Sequence, residues 1–166
     1  MAQPKIYPSN DSSPASDFGL SPTEFTTLRT ASTQAKALAY CPYSRFRVGA
    51  ALLTSTDEVI EGANVENASY PVGTCAERVA LGKAVIEGHT EGFRAVGVST
   101  DISPPASPCG MCRQFMREFV PLKCPIFMFD KDGNYVVLKL EQLLPLSFGP
   151  DQLPQPGELG AQGAGL

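Results

Sequence analysis

Apolar and polar positions along the chain change period several times, and each change marks an element. Ser21-Pro22-Thr23-Glu24 combines a capping Ser, Pro at the first helical position and Glu three residues after the cap, which satisfies orphan amides reciprocally. Phe25, Leu28, Ala35 and Leu38 then share one face and predict a helix, which Cys41-Pro42-Tyr43-Ser44 stops. Val48 to Thr54 and Glu58 to Val65 read as the strands of a hairpin around the polar turn Ser55-Thr56-Asp57. Helical spacing returns from Cys75 to Glu87 through Val79, Leu81, Val85 and Ile86, and Gly88 ends it as a left-handed cap. Phe93 to Thr100 predicts a third strand, and Cys109 to Phe119 a third helix with Phe115, Met116 and Phe119 as its buried stripe. Ile126 to Phe129 and Tyr135 to Leu140 flank the turn Lys131-Asp132-Gly133-Asn134 as the last two strands, and a short helix follows over Leu140 to Leu144.

That order predicts an α/β layered domain around a mixed five-stranded sheet, spanning residues 21–149. Residues 1–20 carry Pro4, Pro8 and Pro14 among Ser, Asn and Asp without periodicity, and read as a flexible or surface-draped arm. Residues 150–166 return to Pro, Gln and Gly and read as a tail.

Composition narrows the function classes. A chain of 166 residues is long enough for one domain with a real core. Lys plus Arg is 13 against 17 for Asp plus Glu, a net charge of −4, so no basic footprint for nucleic acid is present. The longest apolar run goes only from Val48 to Leu53, against the roughly 18 residues needed to span a bilayer, and residues 1–20 have no apolar signal core. These features predict no nucleic-acid partner, no membrane partner and a cytoplasmic location. Five Cys in a reducing compartment are better suited to metal binding or catalysis than to disulfides, and the single His, His89, removes His-rich metal sites.

Two segments place thiols at predicted strand-to-helix junctions: Thr74-Cys75-Ala76-Glu77-Arg78 and Ser107-Pro108-Cys109-Gly110-Met111-Cys112-Arg113. Cys109 and Cys112, three apart on one helical turn, form a claw for a soft metal, and a helix N-terminus favours thiolate over thiol. Alone, this pair reads equally as a redox motif. Cys75 opens the preceding helix, and in a right-handed βαβ arrangement both helices start at the same sheet edge, so three sulfurs can converge on one ion. Three ligands leave a fourth position for water, the pattern of a catalytic zinc site; the alternative is a closed structural site with Cys41 or Cys124 as fourth ligand. Glu77, two residues past Cys75, is placed as a proton shuttle, as in zinc deaminases. Arg78 is expected to donate to a ligand sulfur.

Cys41-Pro42-Tyr43-Ser44-Arg45-Phe46, Gly62-Ala63-Asn64-Val65-Glu66-Asn67-Ala68, Cys75-Ala76-Glu77-Arg78 and Ser107-Pro108-Cys109-Gly110-Met111-Cys112-Arg113 together resemble the small homotetrameric cytidine deaminases from about residue 21 to 150. The resemblance implies a three-layer α/β/α sandwich, one Zn2+ per subunit, and hydrolytic deamination of cytidine and deoxycytidine to uridine and deoxyuridine with release of ammonia. It assigns Cys75, Cys109 and Cys112 as zinc ligands and Glu77 as the shuttle. It also assigns Asn64 and Glu66 to the ribose hydroxyl, Phe46 to the face of the pyrimidine, and Ala76 to the substrate. Tyr70 and Phe148 match residues that neighbouring subunits contribute, which implies a homotetramer with shared sites. The implied mechanism has a hydroxide made available by zinc attacking C4, while Glu77 moves a proton from water to N3 and then to the departing amine. A carboxylate beside the sugar disfavours phosphate, so the expected substrate is a nucleoside. Val79, Met111 and both terminal extensions depart from the usual family pattern.

Overall fold

The computed structural model of the chain describes residues 4–154. The helices are α1 (Ser13–Ser16), α2 (Pro22–Ala35), α3 (Ala76–Ile86), α4 (Gly110–Phe119) and α5 (Leu140–Leu143). The strands are β1 (Val48–Thr54), β2 (Val59–Ala63), β3 (Phe93–Thr100), β4 (Pro125–Phe129) and β5 (Tyr135–Lys139). They form one mixed sheet in the order β2-β1-β3-β4-β5. Strand β1 runs antiparallel to both neighbours, β3 and β4 are parallel, and β5 returns antiparallel to β4.

The start of α2 is set by the expected capping box: the Ser21 hydroxyl accepts from the Glu24 amide at 3.2 Å, and the Glu24 carboxylate accepts from the Ser21 amide at 2.7 Å. Phe25, Leu28 and Ala31 of α2 bury against one face of the sheet, with Phe127, Phe129 and Tyr135 beneath them. On the other face α3, α4 and α5 cover Leu52, Val96, Val98 and Ile126. The sheet therefore lies between two helical layers, and each layer supplies an apolar core. Two glycines fix the approach of the helices. A Cβ at Gly49 would lie 2.1 Å from the Ser32 carbonyl of α2, and one at Gly62 would lie 2.4 Å from the Ala80 amide of α3. The second contact brings the N-terminal half of α3 directly onto β2 and so positions the residues that open the helix.

Residues 4–20, expected as a flexible or surface-draped arm, lie against the sheet and extend its core. Tyr7 exchanges two backbone hydrogen bonds with Tyr135 across the outer edge of β5, and their rings stack at 5.4 Å. Ala15 and Leu20 are buried, and Phe18 meets Phe127 edge to face. At the other end, Pro150–Gln152 form a single 3-10 turn and Asp151 pairs with Arg117; the rest of the expected tail, from residue 155, lies outside the described residues.

Three apolar residues of the expected helical patterns point outward, among them Phe115 of the expected buried stripe. Leu38 lies beyond the end of α2, in a 3-10 turn over Lys36–Leu38, and is 72% exposed; Ile86 is 86% exposed and Phe115 37%. In α3 the small residues Ala76, Ala80 and Ala84 occupy the buried stripe with Leu81, because the close approach at Gly62 leaves no room for larger ones.

Candidate active site

Because β2 and β3 both run antiparallel to β1, they share a direction, and the helices that follow them begin at the same end of the sheet. Cys75 caps α3, Cys109 caps α4, and Cys112 lies in the first turn of α4. Their sulfurs all lie within 4.8 Å of one another, with Cys75 to Cys109 at 3.9 Å and Cys109 to Cys112 at 3.5 Å. Three sulfurs about 2.3 Å from a tetrahedral zinc would stand about 3.8 Å apart, so this donor set fits that ion in both chemistry and spacing. Among the described residues neither Cys41 nor Cys124 joins the group. Cys124 is buried, and burial pushes its thiol up to about 12, so it behaves as a small apolar residue. Among the described residues the cluster has three sulfurs and no fourth thiol, so it lacks the donor set of a closed four-thiolate site.

The electrostatics favour an ionised sulfur. A hydrogen bond from Cys112 and the adjacent Arg78 guanidinium overcome desolvation and hold the Cys75 thiol at about 5, while the same hydrogen bond and burial push Cys112 up. Arg78 Nη2 stands 4.0 Å from the Cys75 sulfur and 3.3 Å from the Gly73 carbonyl, and its Nε is buried without a partner among the described residues. Glu77 is 3% exposed, and burial pushes its carboxyl above the usual range. A carboxyl in that position holds a proton more readily than one in water, as an acid and base acting near neutral pH requires.

The sulfur cluster opens into a cleft of about 460 Å³ that brings together Phe46, Asn64, Glu66 and Glu77 with Cys75 and Cys109. Asn64 is committed to the backbone: its Oδ1 accepts from the Val48 amide at 2.8 Å and its Nδ2 donates to the Phe46 carbonyl at 2.9 Å. It therefore sets where Phe46 sits. Glu66 accepts from the Tyr43 and Ser44 amides at 2.9 and 3.2 Å and from the Ser44 hydroxyl, and these contacts lower its pKa. The turn they brace places Arg45 in left-handed backbone at φ 55. Ala76 is fully buried on the core side of α3, so its side chain packs under the site.

Two expected residues are not brought to this cleft. Tyr70 is 74% exposed and lies in an adjoining hollow, 5.8 Å from the Tyr43 ring. Phe148 is exposed beyond α5, where its carbonyl accepts from Gln114 at 3.0 Å. Conversely, Ser44, Thr100 and Ser107 line the cleft and were not singled out from the sequence. Thr100 had a legible signal, since it ends a strand whose Val96 and Val98 face α3 and α4, at the sheet end where ligands of open α/β folds gather. Arg113 braces the loop before Cys109 by donating to the Pro108 carbonyl and the Ser107 hydroxyl at 2.7 and 2.8 Å.

Residues 23–128 match the family described as cytidine and deoxycytidylate deaminase zinc-binding region. The chain is 44% identical over 120 residues to a cytidine deaminase of Halalkalibacterium halodurans, covering 72% of this chain and 90% of that protein. It is 49% identical over 124 residues to a probable cytidine deaminase of Dictyostelium discoideum, covering 74% and 82%. The crystal structure of cytidine deaminase from Burkholderia pseudomallei superposes with a TM-score of 0.72 at 40% identity, covering 74% of this chain and 98% of that one.

Proposed function

The chain belongs to the cytidine deaminase family, and we propose that the cleft beside Cys75, Cys109 and Cys112 is where it works. It is a zinc-dependent enzyme that deaminates cytidine hydrolytically. The observation that carries the site assignment is the buried Glu77 carboxyl in the same cleft as the three-sulfur cluster. When bound there, zinc supplies the positive charge that makes water a nucleophile near neutral pH.

Glu77 takes a proton from the attacking water and passes it to N3 as the new bond forms at C4. It then takes the remaining proton of the hydroxyl added at C4 and delivers it to the amine as the C4–N4 bond breaks, so that cytidine and water become uridine and ammonia. Phe46 packs on one face of the pyrimidine. The Ala76 amide, an orphan donor in the first turn of α3, is free to meet the base. Glu66 and Asn64 stand toward the ribose. The Glu66 carboxylate accepts from a sugar hydroxyl and repels a phosphate in its place, which selects nucleosides, deoxycytidine included.

Exposed Tyr70 and Phe148 complete the sites of neighbouring copies in a homotetramer. Its place is the cytoplasm, in pyrimidine salvage. Among the described residues no helix is long and apolar enough to cross a membrane. The test is turnover of cytidine and deoxycytidine by metal-stripped and zinc-restored protein, followed across dilution by light scattering. Activity restored by zinc and lost with dissociation is the expected result. A fully active monomer would reject the shared sites, and zinc-loaded protein without turnover would reject the assignment of the cleft.

A further inference from the structure

Asp101 begins the loop that leads from β3 to Cys109, and both of its carboxylate oxygens are engaged. Arg47 donates from Nε to Oδ2 at 2.7 Å and from Nη2 to Oδ1 at 3.2 Å, while Lys36 Nζ donates to Oδ1 at 3.0 Å. Lys36 is 9% exposed, and the same Nζ donates to the Thr100 carbonyl at 3.2 Å. Burial raises the Asp101 carboxyl, but the two cations outweigh it and hold the group ionised. The three residues lie on three different segments: the end of α2, the stretch between the Phe46 turn and β1, and the end of β3.

Their position relative to the cleft gives them a consequence. Arg47 directly follows Phe46 on one wall, and Asp101 directly follows Thr100 on another. Phe46 is only half-buried, and its carbonyl is held from the β2 side by Asn64. The β1–β3 ladder reaches as far as Val48 opposite Thr100, and the Arg47–Asp101 hydrogen bonds carry that tie one residue further, to the neighbour of Phe46.

We propose that Asp101, anchored by buried Lys36 and gripping Arg47 through two hydrogen bonds, is a positioning residue that holds the Phe46 wall in place beyond the last rung of the β1–β3 ladder and so fixes the width of the substrate cleft. The proposal rests on the reading of that cleft as the cytidine site. It acts on binding of the ring rather than on the proton transfers, so its loss raises KM and leaves kcat in place. Bidentate geometry and a buried cation behind the carboxylate separate this pair from an ordinary surface ion pair.

The test uses Arg47→Ala, Arg47→Lys, Asp101→Asn and the Arg47→Ala/Asp101→Asn double variant of the full chain, because the Arg47 side chain is 52% exposed and its removal leaves the core intact. Arg47→Ala should raise KM for cytidine about three- to tenfold with kcat within about twofold and an unchanged melting temperature, and Arg47→Lys should recover part of the loss. Effects in the double variant should be less than additive. Cytidine is neutral, so a wild-type KM that climbs with salt while that of Arg47→Ala stays flat reports screening of the Arg47–Asp101 pair itself. Hydrogen exchange of the peptide over residues 41–48 should speed up in Arg47→Ala, a readout that does not depend on turnover. Unchanged exchange, an unchanged KM, or fully additive effects would each overturn the clamp. Wild-type protein that fails to turn over cytidine overturns the cleft assignment, while the exchange measurement still decides the clamp.

Discussion

The Arg78 guanidinium reaches the Cys75 sulfur at 4.0 Å from within the same first turn of α3. Three thiolates around one divalent ion carry a net negative charge, which would make water at that ion less acidic than at a site of neutral ligands. Arg78 is the cation best placed to offset it. Arg78→Gln should lower kcat/KM about 10- to 100-fold and weaken zinc retention, with Arg78→Lys falling between. Steady-state kinetics with zinc content measured on the same preparations checks this, and wild-type kinetics in Arg78→Gln would remove Arg78 from the site.

Glu77 is buried beside the cluster without being one of its sulfur ligands. Glu77→Gln keeps the shape and loses the exchangeable proton. Its kcat should fall by about 10²- to 10⁴-fold, with fold and zinc stoichiometry retained. A variant that turns over near the normal rate would contradict the shuttle.

The capping box of α2 predicts a pH effect remote from the site. The Ser21 amide and hydroxyl, with Arg94, hold Glu24 at about 2 from an ordinary value of 4.5. A depressed carboxylate contributes stability that is complete above about 4.5 and is lost as pH falls through about 2. Glu24→Gln should therefore melt about 2 to 4 °C below wild type at pH 7, a modest figure because the group is near the surface. The two melting curves should converge as pH approaches 2. A gap that stays constant with pH would show that the carboxylate charge contributes nothing.

Packing of residues 4–20 predicts that they belong to the folded unit. Deleting residues 1–20 uncovers the β5 edge and removes Ala15, Phe18 and Leu20 from the core on that face. The melting temperature should drop by about 5 to 15 °C, from the apolar area lost, and the bare edge should promote aggregation. Calorimetry with light scattering distinguishes this from a dispensable arm, which would leave both unchanged.

The sheet was legible where periodicity and turn residues agree. Phe93 to Thr100 is a strand over the expected span, and the capping box at Ser21 begins α2 where it was expected. The convergence of Cys75, Cys109 and Cys112 followed from spacing and sheet-edge logic, because strand direction constrains where crossover helices start. The packing of Tyr7, Ala15, Phe18 and Leu20 was not legible, since their spacing matches neither a helix nor a strand and tertiary contact alone orders them. Phe115 was misread for the opposite reason, and exposed Leu38 and Ile86 illustrate it too: an apolar periodicity marks a face without saying that the chain's own core covers it. Asn64 and Asp101 escaped a full reading because their work is done on backbone and side chains distant in sequence, which only the folded geometry brings together.

The most direct measurement is ammonia release by zinc-loaded protein from cytidine and, in parallel, from cytidine monophosphate. Rapid release from the nucleoside, with the nucleotide slower by about tenfold or more, is the predicted result for a Glu66 carboxylate standing at the sugar. Equal rates would contradict the role of Glu66, and no release from either substrate by fully zinc-loaded protein would contradict the account of the cleft as a cytidine site.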